Sequence, residues 1–496
     1  MNQSDVSASA MGEGLLSVKQ WNGMAFDGVW RALHRTVDVV EPATGYILGS
    51  IAVASPVDIG EAAARARQAQ PGWAATNYEE RGRILREAAR IAELNRDEIA
   101  NWLVREAGST HPKAQFEVTG SIKVLYEAAA MTSQSTGHVL PTDVGKISIA
   151  RRRPIGVVGV ISPFNFPLYL AMRAVAPALA TGNAVILKPD PKTSVSGGFA
   201  IARLFEAAGL PPGVLHVLPG EGDAGNALCT DPNVGMIQFT GSTAAGRKVG
   251  EAAGRHLKKV SLELGGKNSL IVLDDADIDL AVKNARWGAY LHQGQICMAS
   301  GRILVQASIA AEFCARLIEG AKMLPVGDPS TAHVALGPLV SSAQLNHANM
   351  IVKSSVDAGA TLALGGTAEG LFFSPTVLTG VVKGMAAYDE EIFAPVAVVS
   401  TFENDDDAVA LANDTKYGLA AGIITNSIGR ALAIGERLNV GLLHINDQTV
   451  NDDVVNPFGG TGDSGNGSSI GGPANWEEFT QWQWMTVKGA PPSYPL

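Results

Sequence analysis

Four residues in this chain have types and settings that suit carbonyl chemistry. Cys297, one of three cysteines in 496 residues, stands in Leu291-His292-Gln293-Gly294-Gln295-Ile296-Cys297-Met298, directly after helical text. Small and amide-bearing neighbours leave backbone N–H groups to stabilise a thiolate or an oxyanion, the setting of a nucleophile. By composition alone a lone cysteine is more often a small buried hydrophobe. Asn165 lies between two prolines in Pro163-Phe164-Asn165-Phe166-Pro167, a stiff turn that would present its amide as an oxyanion hole requires. Glu263, in Leu262-Glu263-Leu264-Gly265-Gly266-Lys267, ends an apolar strand. Buried there, it would have a raised pKa and could serve as a general base; on the solvent face of an edge strand it would be an ordinary surface acid. A further acidic motif, Glu390-Glu391-Ile392-Phe393-Ala394-Pro395, completes the set.

Two stretches suit a phosphate. Gly220-Glu221-Gly222-Asp223-Ala224-Gly225 has the G-x-G-x-x-G spacing after a strand, although no suitable acid follows about twenty residues on. Thr240-Gly241-Ser242-Thr243 turns a strand into a helix, whose first N–H groups either meet a phosphate or are simply capped.

Positioning these groups requires sheets. Short β-branched or aliphatic runs at 155–161, 184–187, 214–218, 236–239 and 260–264 end in Pro or Gly turns, and helical text separates the first four. That alternation predicts a parallel, doubly wound α/β sheet with its ligand at the strands' carboxyl ends. A second αβ region, with strands expected at 270–273, 303–305, 396–400, 421–425 and 441–445, follows a hinge at Gly265-Gly266. Amphipathic helices are expected at 56–69, 78–94, 97–106 and 115–131. Turns are expected at Trp21-Asn22-Gly23 and at 42–45. Residues 138–153 read as a hairpin turning at Asp143-Val144-Gly145, and the period-two tail 479–487 is a strand that would complete a sheet with it.

Composition narrows the class. Hydrophobic residues make up 46% and charged residues 17%, enough apolar material for several cores, and 38 basic against 48 acidic residues give a net charge of -10. The one basic run, Arg151-Arg152-Arg153, abuts an apolar strand, so no nucleic-acid partner is expected. Three cysteines without a CxxC argue against a disulfide framework and against a metal site. A polar leader at 1–14 and the lack of a long apolar run predict a cytoplasmic protein with no membrane contact.

The Asn165, Glu263, Cys297 and Glu391 motifs, in this order, resemble those of the NAD(P)-dependent aldehyde dehydrogenase superfamily over nearly the whole chain. The resemblance implies two doubly wound αβ domains plus a small β arm: 1–137 with 154–265 binding cofactor, 266–465 catalytic, and 138–153 with 466–496 an oligomerisation arm of a homodimer or homotetramer. It implies Cys297 as nucleophile, Asn165 with the Cys297 N–H as oxyanion hole, and Glu263 as the base that activates water. Ile161, Ser162, Phe164, Lys188, Asp190, Gly222, Gly225, Gly241, Ser242, Glu391 and Phe393 would hold the cofactor. Where many NAD-preferring members carry an acid that binds the adenosine ribose, this chain reads Asp190-Pro191. Asp190 either takes that role and favours NAD, or points away and admits NADP.

Around Asn165 and Cys297 the text looks most like the benzaldehyde, hydroxybenzaldehyde and vanillin dehydrogenase branch. Phe166, Tyr169, Leu170, Leu291, Ile296, Met298 and Phe458 would form a slot for a flat aromatic aldehyde, or be plain core. Arg173 would meet a phenol oxygen or carboxylate on the substrate, or pair with a neighbouring acid. A CoA-acylating relative would generally lack Glu263, and a non-catalytic relative would not keep Cys297, Asn165 and Glu263 together.

Overall fold

The computed structural model describes residues 14–495, so the polar leader before Gly14 lies outside the described residues. The first sheet has seven strands in the order Lys259–Glu263, Met236–Thr240, Val157–Ile161, Ala184–Lys188, Leu215–Val217, Met24–Phe26, Trp30–Ala32. The first five pair in parallel, and the last two add antiparallel at one edge. Strand order reverses beside Val157–Ile161, whose neighbours are Ala184–Lys188 on one side and Met236–Thr240 on the other. A crevice forms at such a point beyond the carboxyl ends of the strands. The register brings Ile161 opposite Lys188 and Phe239, and Thr240 opposite Glu263.

The second sheet also has seven strands, in the order Thr361–Leu364, Thr376–Thr379, Val396–Phe402, Arg302–Gln306, Ser269–Val272, Ala420–Ile424, Leu442–Ile445. All its pairings are parallel except the first. Only residues 264–268 separate the last strand of one sheet in sequence from the first strand of the next. A third, antiparallel sheet joins Gly137–Val139 and Lys146–Pro154 to Thr480–Lys488. The expected hairpin and tail thus pair over nine registered positions, from Thr480 opposite Pro154 to Lys488 opposite Lys146.

Helix ends depart from the sequence expectation where burial overrides local signals. Pro56–Ala75 starts in a Ser55/Asp58 capping box and runs through Pro71 rather than stopping before it. The helix continues because Trp73 is buried and its indole N–H donates to Leu179 O at 2.9 Å. His111–Met131 starts four residues before the expected 115, with Pro112 in the first turn, where proline costs no hydrogen bond. The early start brings Lys113 and Glu117 onto buried turns. Ile470, Trp476 and Phe479 lie in the same apolar cluster as Phe166 and Leu168, so the chain before the last strand is part of the core around the helix Pro167–Ala180.

Val157–Ile161 is buried along its whole length, and Gly159 is its point of closest packing. A Cβ there would lie 2.7 Å from Leu228 Cγ and 2.9 Å from Ile237 Cδ1. Gly159→Val should therefore overpack the sheet, costing about 1–3 kcal/mol and lowering Tm in a thermal melt. An unchanged Tm would show that the helix Gly222–Thr230 yields there.

Candidate active site

Cys297 stands on the loop between the helix Ile278–Tyr290 and the strand Arg302–Gln306. Three successive residues before it are left-handed: His292 (φ 49°), Gln293 (φ 56°) and Gly294 (φ 67°). Non-glycine residues held this way cost about 1–3 kcal/mol each and persist only where the surroundings fix them. Gln293 Nε2 donates to the carbonyls of Gly108 at 2.9 Å and Pro338 at 3.0 Å, and Gln295 Oε1 accepts from Val340 N at 3.0 Å. Beyond the thiol, Asn268 Nδ2 donates to the carbonyls of Cys297 and Ala299, each at 2.8 Å, while its Oδ1 accepts from Ala420 N at 2.9 Å.

Asn165 is buried in the turn before the helix Pro167–Ala180. Its Nδ2 donates one hydrogen bond, to Gln295 O at 2.9 Å, so the amide is tied to the thiol's own loop and keeps a second N–H. From behind, Lys113 Nζ donates to Asn165 O at 2.7 Å.

Cys297 and Asn165 share the wall of a cavity of about 450 Å³. Phe166, Tyr169, Leu170, Leu291, Ile296, Met298 and Phe458 all line it, but Arg173 does not. The Arg173 side chain, 2% exposed, forms an ion pair with Asp452 and donates to the carbonyls of Ile470 at 3.1 Å and Asn456 at 3.4 Å. Of the two readings for Arg173, the structure displays the pairing with a neighbouring acid; contact with substrate would need a guanidinium that faced the cavity.

Burial shifts the ionisable groups toward their neutral forms. It pushes the Cys297 thiol well above its ordinary range, reinforced by Glu391 and Glu263 and opposed by a hydrogen bond from Met298 N–H. Glu263 is buried, neither carboxyl oxygen has a hydrogen-bond partner, and desolvation carries its proton affinity far above the usual carboxylate range. Glu391 is pushed up to about 7 by burial, against hydrogen bonding from Gly266 N–H and the charge of Lys267. Lys267 is pushed down to about 7, by burial first and then by Arg302. His292, with both ring nitrogens unpartnered, is driven well below its ordinary value by burial and by Lys113.

The expected cofactor residues gather around the carboxyl ends of the first sheet and across the 264–268 link. Lys188 Nζ, buried, donates to Gly220 O at 2.5 Å. Gly225 faces its stem: a Cβ there would lie 3.6 Å from Lys188 Cε and 3.8 Å from Ile161 Cδ1. Gly222 opens the helix Gly222–Thr230 on the exposed side, and Ser162 is buried with a hydroxyl that has no partner. Gly241 and Ser242 precede the helix Thr243–Arg255, with the Ser242 hydroxyl capping Ala245 N at 3.3 Å. Glu391 accepts from Gly266 N at 3.2 Å, and Phe393, left-handed at φ 56°, packs edge-on against Phe164. Asp190 Oδ1 accepts from Lys192 N at 2.9 Å and lies 3.7 Å from Lys192 Nζ, which makes it a turn cap beside a lysine. An exposed helix start, a buried lysine at a strand end and an acid across the link fit an extended dinucleotide.

Sequence reasoning missed Lys113, Glu117, Asn268 and Asp452. Lys113 and Glu117 have the four-residue spacing of a helical ion pair, a signal that more often marks a solvated face. Asp452 sits in loop text with no period to mark it.

Two sheets meeting at a half-buried cysteine, with a tethered amide and a carboxyl that has no partner among the described residues, are the architecture of an α/β enzyme with a largely apolar cavity. The chain belongs to the aldehyde dehydrogenase family, whose model matches residues 30–485. It is 53% identical over 483 residues to a vanillin dehydrogenase of Amycolatopsis sp., covering 97% of this chain and 99% of that protein. It is 46% identical over 478 residues to a benzaldehyde dehydrogenase [NAD(+)] of Pseudomonas putida, covering 96% and 98%. The crystal structure of a salicylaldehyde dehydrogenase from Pseudomonas putida G7, complexed with salicylaldehyde, superposes with a TM-score of 0.92 at 36% identity, covering 96% of this chain and 99% of that one.

The upward shift of Cys297 makes a prediction for the cofactor-free protein. A raised thiol gains thiolate with every pH unit below its pKa, so its alkylation by iodoacetamide should accelerate roughly tenfold per unit between about pH 7 and 9. The Cys297→Ala variant reports the background from Cys229 and Cys314. A plateau near neutral pH would mean that the thiol is already ionised.

Proposed function

We propose that this enzyme oxidises aromatic aldehydes to carboxylic acids with NAD. The observation that carries the reading is the cavity: Cys297 and Asn165 lie in its wall, and Phe166, Tyr169 and Phe458 give it aromatic surface. Aromatic surface in a confined apolar space favours a flat ring over a short chain. The names of the vanillin and benzaldehyde dehydrogenases to which the chain is similar agree, and the latter names NAD(+).

In this mechanism Cys297 Sγ passes its proton to water in the cavity and attacks the aldehyde carbon, forming the thiohemiacetal as its oxyanion. The second Asn165 amide N–H and the Cys297 N–H receive the developing oxyanion. When bound, the nicotinamide supplies the hydride acceptor, which leaves a thioester on Cys297. Glu263 in its ionised form, which burial makes a stronger base than an exposed carboxylate, takes a proton from water, and the resulting hydroxide displaces Cys297 as the thiolate to release the acid. Lys188 would hold the adenosine ribose, Gly241 and Ser242 the pyrophosphate, Glu391 and Phe393 the nicotinamide ribose. Ile161, Ser162, Phe164, Gly222 and Gly225 would complete that surface. The turn-capping position of Asp190 leaves NADP a poorer but admissible alternative.

We assign the three-stranded sheet to self-association, as a homodimer or homotetramer. It leaves Trp484 71% and Trp482 47% exposed on one face, and Val139, Ile147 and Val487 exposed on the other. An apolar ribbon bare on both faces suits burial against a second copy. No helix among the described residues is long and apolar enough to cross a membrane. Three unpaired cysteines fit a reducing compartment, which supports the cytoplasm.

Two experiments test the chemistry. Cys297→Ala should abolish turnover while cofactor still binds, whereas Glu263→Gln should keep a burst of NADH and then stall at the thioester. Loss of the burst would place Glu263 in thiol activation instead. For the substrate class, kcat/KM for benzaldehyde and 4-hydroxybenzaldehyde should exceed that for acetaldehyde and succinic semialdehyde by at least about tenfold. A win for succinic semialdehyde would overturn the aromatic reading.

A further inference from the structure

Among the described residues lining the cavity, Asp452 is the single acid. It is held from one side. The Tyr169 hydroxyl donates to Asp452 Oδ2 at 3.0 Å, and Arg173 Nη1 binds that same oxygen and the Tyr169 oxygen, the latter at 3.2 Å. Arg173 is itself fixed by the Ile470 and Asn456 carbonyls, so the carboxyl cannot swing away without stranding a buried guanidinium.

Both of these bonds use Oδ2. Oδ1 has no protein partner among the described residues, and it is not one of the sealed polar atoms, because the Asp452 side chain keeps 8% exposure and lines the cavity. A rigidly held acceptor in the wall of a mostly apolar cavity favours a ligand that donates a hydrogen bond. Cys297, Asn165 and Asp452 all lie in the wall of the same cavity, so a ring held at the thiol shares that space with the carboxyl.

We propose that Asp452, clamped by Arg173 and Tyr169, is a specificity-determining residue that accepts a hydrogen bond from a ring hydroxyl, selecting hydroxylated aromatic aldehydes. The proposal rests on the aromatic-aldehyde reading above and names its substrate class. An unsubstituted ring leaves Oδ1 unpaired, and a methoxy group places a second acceptor against it. A ring carboxylate would place a second anionic acceptor there.

The test compares 4-hydroxybenzaldehyde, 4-methoxybenzaldehyde and benzaldehyde, with acetaldehyde as the non-aromatic reference. Hydroxy and methoxy groups affect the carbonyl similarly and differ in the proton they donate. In the unaltered enzyme kcat/KM for the hydroxy compound should exceed that for the methoxy compound by about tenfold or more, mostly through KM. In Asp452→Asn, Arg173 holds the amide oxygen and turns the NH₂ toward the cavity, so that ratio should fall to about one. A ratio near one in the unaltered enzyme overturns the proposal without any variant. A preference that survives in Asp452→Asn overturns it too, and in either case fast oxidation of all three aromatic compounds leaves the aromatic reading standing. If acetaldehyde outranks all three, both fall together.

Discussion

The active site depends on one side-chain amide that belongs to neither the nucleophile nor the substrate cavity. Asn268 stands immediately before the strand Ser269–Val272, gives both N–H groups to the carbonyls on either side of Met298, and takes the Ala420 N–H from the neighbouring strand. Its amide ties the loop carrying Cys297 to the strand edge, adding to the tethers from Gln293 and Gln295 to Gly108, Pro338 and Val340. The strained residues His292 and Gln293 follow from this. The chain must leave a helix and arrive at Cys297 in one defined place, and left-handed backbone is how it turns within the available length.

Burial then gives the site its chemical character. Cys297, Glu263, Glu391, Lys267 and His292 are all displaced toward their uncharged forms, with desolvation the largest cause for each. A cluster so shifted carries little fixed charge around the thiol. Glu263 is the extreme case, since nothing among the described residues bonds to its carboxyl oxygens. A hydrogen-bonded Glu263 would be better solvated, and a weaker proton acceptor.

The sequence disclosed the strands and the catalytic motifs because each has a strong local cause. Five β-branched runs between Gly and Pro turns could only alternate with helices, and the parallel pairing of 157–161, 184–188, 215–217, 236–240 and 259–263 follows from that alternation. The antiparallel strands Met24–Phe26 and Trp30–Ala32 were not legible as part of this sheet, since edge pairing is decided by what the body leaves open. Arg173 illustrates the same limit. Its residue type allowed either a substrate contact or an ion pair, and the choice was made by Asp452, 279 positions away. The helix expected at 56–69 instead runs to Ala75 through Pro71, an extension that buries Trp73 and that the local pattern did not disclose.

Lys113 and Glu117 show how a buried ion pair can matter without being a large source of stability. Removing two charges from water roughly cancels their attraction, so the value of such a pair lies in the geometry it imposes. Here most of its contacts converge on the turn that carries Asn165 and on the helix start after it. Lys113 Nζ reaches Ser109 Oγ, Glu117 and Asn165 O, and lies 4.2 Å from the centre of the Phe166 ring. Glu117 Oε1 accepts from Leu168 N at 2.8 Å and Tyr169 N at 3.2 Å, the free donors of the helix that follows Asn165. The pair therefore sets both the carbonyl behind the catalytic amide and the first turn of the helix that carries the cavity wall. Since Tyr169 in that turn also bonds Asp452, one helix start positions both the Asn165 amide and the Asp452 carboxyl in the cavity wall, and its displacement would move both at once.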